Sequence, residues 1–294
     1  MNASLPPTET NNERTVGLDR LSTPALVALL VEEQRHVADA VLARRDAIAE
    51  AVEEIAARLR SGGVLHYVGA GSSGRIATLD AAEMPPTFGT SPQLVHAHLA
   101  GGPEALLRSI EGAEDDASAG KEAMRECVRA ADAVIGISAS GGAGFVVAAI
   151  EFARNRDAYT VALTNVAESP LARAAHRTIV LDTGAEALAG STRLKAGTAQ
   201  KIALNAISTA VMVRLGKVHD NLMVDLVATN AKLRRRAVRL VRELAAVDER
   251  TAIDLLALAN GRVKIAIVMQ RRRVDASEAQ ALLEEHKGLL RPLL

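Results

Sequence analysis

The spacing of apolar residues changes twice along the chain. Between Thr23-Pro24 and Arg60, Leu26, Leu29, Leu30, Val37, Val41, Ile48, Val52 and Ile55 recur mostly at three- and four-residue steps or their multiples. That spacing predicts helices, ended by Ser61-Gly62-Gly63. From Val64 to about Thr183, short apolar runs alternate with helical patterns, predicting strands near 64–68, 94–99, 132–138, 159–164 and 178–182. Strands separated by helices pair in parallel, and such a sheet is covered on both faces. The expected fold is therefore α/β: a three-layer sandwich on a five-stranded parallel sheet, with helical N-terminal and C-terminal units. Beyond Asn230 the pattern stays helical to the end. Three parts follow: a tail and helical unit over 1–60, an α/β domain over 61–225 and a helical subdomain over 226–294. Residues 1 to about 17 read as disordered or loosely docked.

The stretch Val64 to Gly89, VLHYVGAGSSGRIATLDAAEMPPTFG, passes from strand through a Gly/Ser loop into a helix. Gly69, Gly71 and Gly74 permit a sharp turn that brings backbone N–H groups close to an anion. Ser72 and Ser73 add hydroxyls beside a helix N-terminus, where unpaired amides and the helix dipole favour negative charge. The residue before a proline is pushed out of helical geometry, so this helix is expected to stop at Pro85-Pro86. Glu83 would then stand at a helix C-terminus, which raises a carboxyl pKa if the side chain is also enclosed. The bland alternative is a solvated helix-end glutamate.

A second unit repeats this logic. The strand ADAVIGI leads into Ser138-Ala139-Ser140-Gly141-Gly142-Ala143-Gly144 and then a helix, so Ser138, Ser140 and Gly141 become candidate phosphate contacts beside Gly71, Ser72 and Ser73. Glycine and serine also make ordinary turns, and it is the pairing of two such loops in one α/β domain that suggests a single phosphate site. A third polar loop, GSTRLKAGTAQK, adds Ser191 and Lys195 ahead of a long apolar helix. There Lys195 either neutralises a phosphate or is simply exposed. Gly69 to Gly74 also satisfies the dinucleotide pattern G-x-G-x-x-G. The second strand, LVHAHLAGG, lacks the acidic residue that would hold a ribose, which argues against nicotinamide or flavin.

Gly112 breaks the helical pattern after Pro103, so Glu114, Asp115 and Asp116 are expected to open a new helix. They read either as ordinary helix-start acids or as a site in which Glu83 acts as acid and Glu114 as base.

Composition narrows the choice. The formal net charge is zero, which argues against a nucleic-acid or anionic-membrane partner. Aromatic residues make up 2% and Trp is absent, so recognition is polar rather than by ring stacking. Arginines around Lys232 to Arg242 and Arg271 to Arg273 interleave with apolar residues and read as a solvated helix face. Cys127 is the one cysteine and reads as a buried or incidental thiol. Of seven histidines only His96 and His98 are close in sequence, and no metal site is expected. A polar N-terminus and the lack of roughly eighteen uninterrupted apolar residues point to a cytosolic chain without a membrane span.

Taken together, GAGSSGRIATLDAAEMPPTFG, EGAEDD, GSTRLKAGTAQK and GKVHDNLMVDLVATNAKL resemble the N-acetylmuramic acid 6-phosphate etherase family of the sugar isomerase (SIS) superfamily. The resemblance runs from about Leu18 to the C-terminus. It implies a cytoplasmic, cofactor-free homodimer that removes the D-lactyl ether from a sugar phosphate by elimination and hydration. Its catalytic pair falls on Glu83 in Asp80-Ala-Ala-Glu83 and Glu114 in Glu111-Gly-Ala-Glu114, with Glu114 as base and Glu83 as acid. The chain departs from the family at Met84 (usually Cys), at Gly142-Ala143-Gly144 (usually Arg-Thr-Pro) and at Asn165-Val166-Ala167 (usually Cys-Asn-Pro). Glycine does not replace a bidentate guanidinium, so loss of that arginine bears on phosphate or carboxylate contact. Other readings are a non-catalytic sugar-phosphate sensor, an aldose/ketose isomerase of the same superfamily, or a SIS-type transcription regulator. The regulator is the poorest of these, because no helix-turn-helix is visible.

Overall fold

The structure is a computed structural model that describes residues 6–226 and 231–294. The first five residues of the expected loose tail, and 227–230 of the GKVHDNLMVDLVATNAKL motif, lie outside the described residues. The chain divides into two compact units, one holding the chain through Ala81 with Gln93–Ser208, the other holding Ala82–Pro92 with Thr209–Leu294.

The first unit opens with α1 (Thr23–Glu32), α2 (Val37–Leu42) and α3 (Arg45–Arg60). Its strands are β1 (Leu65–Gly69), β2 (Val95–Leu99), β3 (Ala133–Ile137), β4 (Tyr159–Thr164) and β5 (Arg177–Val180). Between them run α4 (Gly71–Phe88), α5 (Ala117–Arg125), α6 (Gly144–Arg154) and α7 (Pro170–Ala174), and α8 (Lys195–Arg214) follows β5. The strands form one parallel sheet in the order β2-β1-β3-β4-β5. Alternation sorts the side chains: Val68, Val134 and Ala162 join a core with Met124, Phe145, Val146, Ile150 and Leu171 from the helices on one face. Leu65, Tyr67, Ile135, Ile137, Leu163 and Ile179, of opposite parity, are fully buried on the other face. The expected α/β sandwich is the observed one.

Three local expectations are corrected. Residues 6–17 are docked: Thr8 is fully buried and its carbonyl accepts from Gly190 N–H at 2.9 Å, while Asn12 donates to Glu33 at 2.6 Å. Helix α4 does not stop at Pro85-Pro86 but continues to Phe88, and Gly89 N–H still donates to the Pro85 carbonyl at 3.0 Å. The prolines remove only the amides that would have reached the Ala81 and Ala82 carbonyls. Met84 and Phe88, one turn apart, are both buried, and burial of that face outweighs the local break. Glu83 is thus inside the helix rather than at its C-terminus, and it is exposed, so the condition under which a helix end and enclosure would raise its pKa does not arise. Finally, Glu114 lies in a short turn, Ala113–Asp115, and it is Asp116 that caps α5, accepting from Ala119 N–H at 2.9 Å.

The second unit contains the hairpin β6 (Val218–His219) and β7 (Leu222–Met223), then α9 (Ala231–Ala245), α10 (Glu249–Leu258), α11 (Val263–Arg272) and α12 (Ala276–Glu285). Leu233, Ala237, Leu240 and Val241 of α9 are buried with Ala266, Ile267, Val268 and Leu283 in one core. Arg234, Arg235 and Arg239 face solvent, the amphipathic split expected of a solvated basic face. The compact units divide the chain differently from the three parts read from sequence. Helix α3 packs on β4 and β5 and so joins the sheet, and the boundary in α8 falls after Ser208.

Candidate active site

Three strand-to-helix or loop-to-helix junctions carry the polar residues singled out in the sequence. The first is the start of α4. Gly69 and Gly74 meet so closely that a Cβ on Gly74 would lie 2.6 Å from the Gly69 carbonyl oxygen, and glycine alone fits. Gly71 opens the helix at φ +53° with free space around it. The Ser72 and Ser73 hydroxyls make no hydrogen bond among the described residues.

Gly71 lines a cavity of about 260 Å³ together with Arg75, Ser109, Glu111, Glu114 and Asp115. Arg75 was missed in the sequence because it sits beyond the glycines in an ordinary helical position. Its guanidinium donates to the carbonyls of Ala105 (2.8 Å) and Arg108 (3.1 Å), tying α4 to the segment that carries Glu114.

The second junction is the start of α6. Ser138 Oγ accepts from Gly141 N–H at 3.1 Å and Ser140 Oγ from Gly142 N–H at 3.2 Å, so both hydroxyls shape the loop and keep their O–H free to donate. Gly141, at φ +66°, is wedged against Ser169, where a Cβ would lie 2.2 Å from the hydroxyl. A Cβ on Gly144 would lie 2.9 Å from the Asp115 carbonyl oxygen. The segment Gly112–Asp116 therefore meets both glycine/serine loops, the first through the cavity and the second through Gly144.

The third junction, at α8, is already filled. The fully buried Glu186 carboxylate accepts from Lys195 N–H and Ala196 N–H, both at 2.9 Å, satisfying this helix start with an anion of the chain itself. Lys195 is buried rather than exposed, and its ammonium donates to Glu33 at 3.1 Å. Burial pushes the Glu33 pKa up, but Asn12, Lys195 and Arg14 outweigh it and hold the carboxyl below its ordinary value. Ser191 is half-buried in the turn before this helix.

A further carboxylate underlies the α4 motif. Asp80 is buried and accepts from Tyr67 (2.9 Å), Asn205 (2.6 Å) and Ser208 (3.1 Å), joining β1, α4 and α8. Burial and then the neighbouring Asp80 raise the Tyr67 pKa well above its ordinary value, which keeps the phenol a donor.

Relatives match this chain along its length. It is 47% identical over 288 residues to N-acetylmuramic acid 6-phosphate etherase of Synechococcus sp. (strain CC9902), covering 98% of this chain and 91% of the relative. The chain belongs to the N-acetylmuramic acid 6-phosphate etherase family. The protein of that name from Salmonella agona (strain SL483) is 46% identical over 295 residues, covering 100% of this chain and 99% of the relative. Residues 47–154 match the glucokinase regulatory protein N-terminal SIS domain, and residues 112–210 match the SIS domain. A phosphoheptose isomerase from Francisella tularensis shares the fold at 17% identity with a TM-score of 0.51, over 66% of this chain and 100% of that one. Among the described residues no helix is long and apolar enough to cross a membrane.

Proposed function

We infer that this chain is a carbon–oxygen lyase that cleaves the D-lactyl ether of N-acetylmuramic acid 6-phosphate, giving N-acetylglucosamine 6-phosphate and D-lactate in cell-wall sugar recycling. The observation that carries this reading is end-to-end similarity to etherases at 47% identity over 98% of the chain. The open junction at α4 supports it, because it supplies free amides, free hydroxyls and a cavity shared with Glu114. In the open-chain sugar the C1 aldehyde acidifies the C2 hydrogen. Glu114 takes that proton, the C3–O bond to lactate breaks, and Glu83 protonates the departing lactate oxygen. Water then adds across the unsaturated aldehyde at C3, returning the sugar skeleton. Gly71, Ser72, Ser73, Ser138, Ser140 and Gly141 hold the phosphate through N–H and O–H donors, and no cofactor takes part. Ser191 and Lys195 serve the substrate only indirectly, through the α8 junction. The working unit is a cytoplasmic homodimer.

The test is D-lactate release from N-acetylmuramic acid 6-phosphate in heavy-oxygen water. The expected products are lactate and a sugar carrying one solvent oxygen at C3. Sugar phosphate that binds without releasing lactate would favour a sensor instead. A carbonyl shift with the lactyl group retained would favour an isomerase.

A further inference from the structure

Sequence spacing alone brings together only His96 and His98, alternating on one strand, which is too little for a metal site. The sheet register changes that. In the parallel pairing of β1 with β2, His66 lies opposite His96 and Val68 opposite His98, so the three imidazoles share one sheet face. The rings lie close together, with His66 to His96 at 5.6 Å and His66 to His98 at 5.2 Å between centroids. Cys127, in the turn after α5, reaches the same face. One donor atom from each of His66, His98 and Cys127 lies within 4.8 Å of the others.

The surroundings orient these donors. His66 Nδ1 is 3.0 Å from His98 Nε2. On the far side of the His66 ring, Nε2 has no hydrogen bond, and Asp132 Oδ2 stands 3.6 Å from it. Asp132 is fully buried and is itself held by Val64 N–H and Arg129 N–H, both at 2.8 Å. A fixed carboxylate there favours the tautomer with the proton on Nε2, which leaves the Nδ1 lone pair turned toward His98. A carboxylate behind a histidine in this way is the usual outer partner of a metal-ligating imidazole. Burial lowers the pKa of His66 and of His98 to about 4, so both rings are neutral near pH 7. His66 is 2% exposed, while His98 and Cys127 are half-buried and His96 is exposed, which gives solvent a way in.

We propose that His66 Nδ1, His98 Nε2 and Cys127 Sγ form a binding site for a borderline divalent cation of the zinc class. Two imidazoles and one thiolate suit zinc and disfavour calcium or magnesium, which take oxygen donors. In a tetrahedral set the donors stand about 3.3–3.8 Å apart, so closing the site needs only small rotations of the half-buried His98 and Cys127. Binding replaces the Cys127 thiol proton, one proton released per cation, and shifts the His98 proton from Nε2 to Nδ1. Burial, followed by the charge of Asp132, keeps Cys127 a thiol in the free chain, so the cation has to displace that proton. The site lies on the sheet face, upstream of the loops at the C-terminal ends of the strands. Its role is to brace β1, β2 and the turn after α5 rather than to touch the sugar.

The test is a cobalt(II) titration of the untagged, metal-free chain under a non-thiol reductant, followed by absorption. The expected result is a thiolate-to-cobalt charge-transfer band in the near ultraviolet, saturating at one ion per chain and removed by zinc. Cys127→Ser should abolish that band, and His98→Gln should weaken binding by more than the roughly 10- to 100-fold typical of an outer partner. Zinc should raise Tm and shield Cys127 from alkylation in the wild type only, with lactate release the same in wild type and Cys127→Ser. A wild-type chain that takes up cobalt without the band, or takes up none, overturns the proposal without recourse to any variant. So does a Cys127→Ser, His98→Gln double variant that binds as the wild type does.

Discussion

The starts of α4 and α8 look alike in sequence, each a glycine- and serine-containing loop running into a long helix, yet the fold treats them oppositely. At α4 the first helical residue is Gly71, open on a cavity that also holds Glu114. At α8 the same kind of amide cluster is closed by the Glu186 carboxylate, and Lys195 is turned to Glu33. Both ends satisfy one physical demand, that unpaired helix amides meet an acceptor. The difference is whether that acceptor belongs to the chain. An anion site in this family of junctions is therefore recognised by the absence of an internal carboxylate, not by glycine and serine content.

The sharpest way to break this contrast is at the open end. Glu114→Gln and Glu83→Gln, both at exposed positions, should each lower lactate release by about 10²- to 10⁴-fold with Tm unchanged. Near-wild-type turnover in either variant removes that residue from the chemistry. At the closed end the effect should appear in stability. Lys195→Met leaves the buried Glu33 with only Asn12 and Arg14 as partners and should cost about 1.5–3 kcal/mol in denaturant unfolding. A variant of unchanged stability whose KM alone rises would make Lys195 a substrate ligand after all.

Two glycines grade the loops more finely. Gly141→Ala combines a positive φ with a Cβ 2.2 Å from the Ser169 hydroxyl and should cost about 2–4 kcal/mol. Gly71→Ala meets nothing within 4 Å and should cost only the left-handed backbone term, about 1–2 kcal/mol. Equal losses on urea unfolding would contradict the difference in packing.

The smallest effect is the pH dependence carried by Glu33. Its pKa is lower in the folded chain than its ordinary 4.5, so its stabilisation is fully present above that pH and is lost as pH falls through the folded value. The acid limb of stability should therefore flatten in Lys195→Met relative to the wild type. An acid limb identical in the two proteins would show that the Lys195 pair does not set it.

What the sequence determined by itself was whatever repeats locally. Strand and helix spacing placed all five strands within two residues of their ends and predicted the parallel sandwich, because alternation at two and at three to four residues reports burial on a sheet or helix face directly. Motif content placed Glu83 and Glu114 as candidates. Tertiary structure decided that the Lys195 ammonium is paired with Glu33, 162 residues away, and that Glu186, nine residues before Lys195 but outside any helical repeat, folds back to close the α8 start. It also carried α4 through two prolines, since the burial of Met84 and Phe88 is invisible to a local rule. Likewise, His66 met His98 and Cys127 only once the register of β1 and β2 was set. Contacts of this kind depend on chain folding that brings distant residues together, and no periodicity along the chain encodes them.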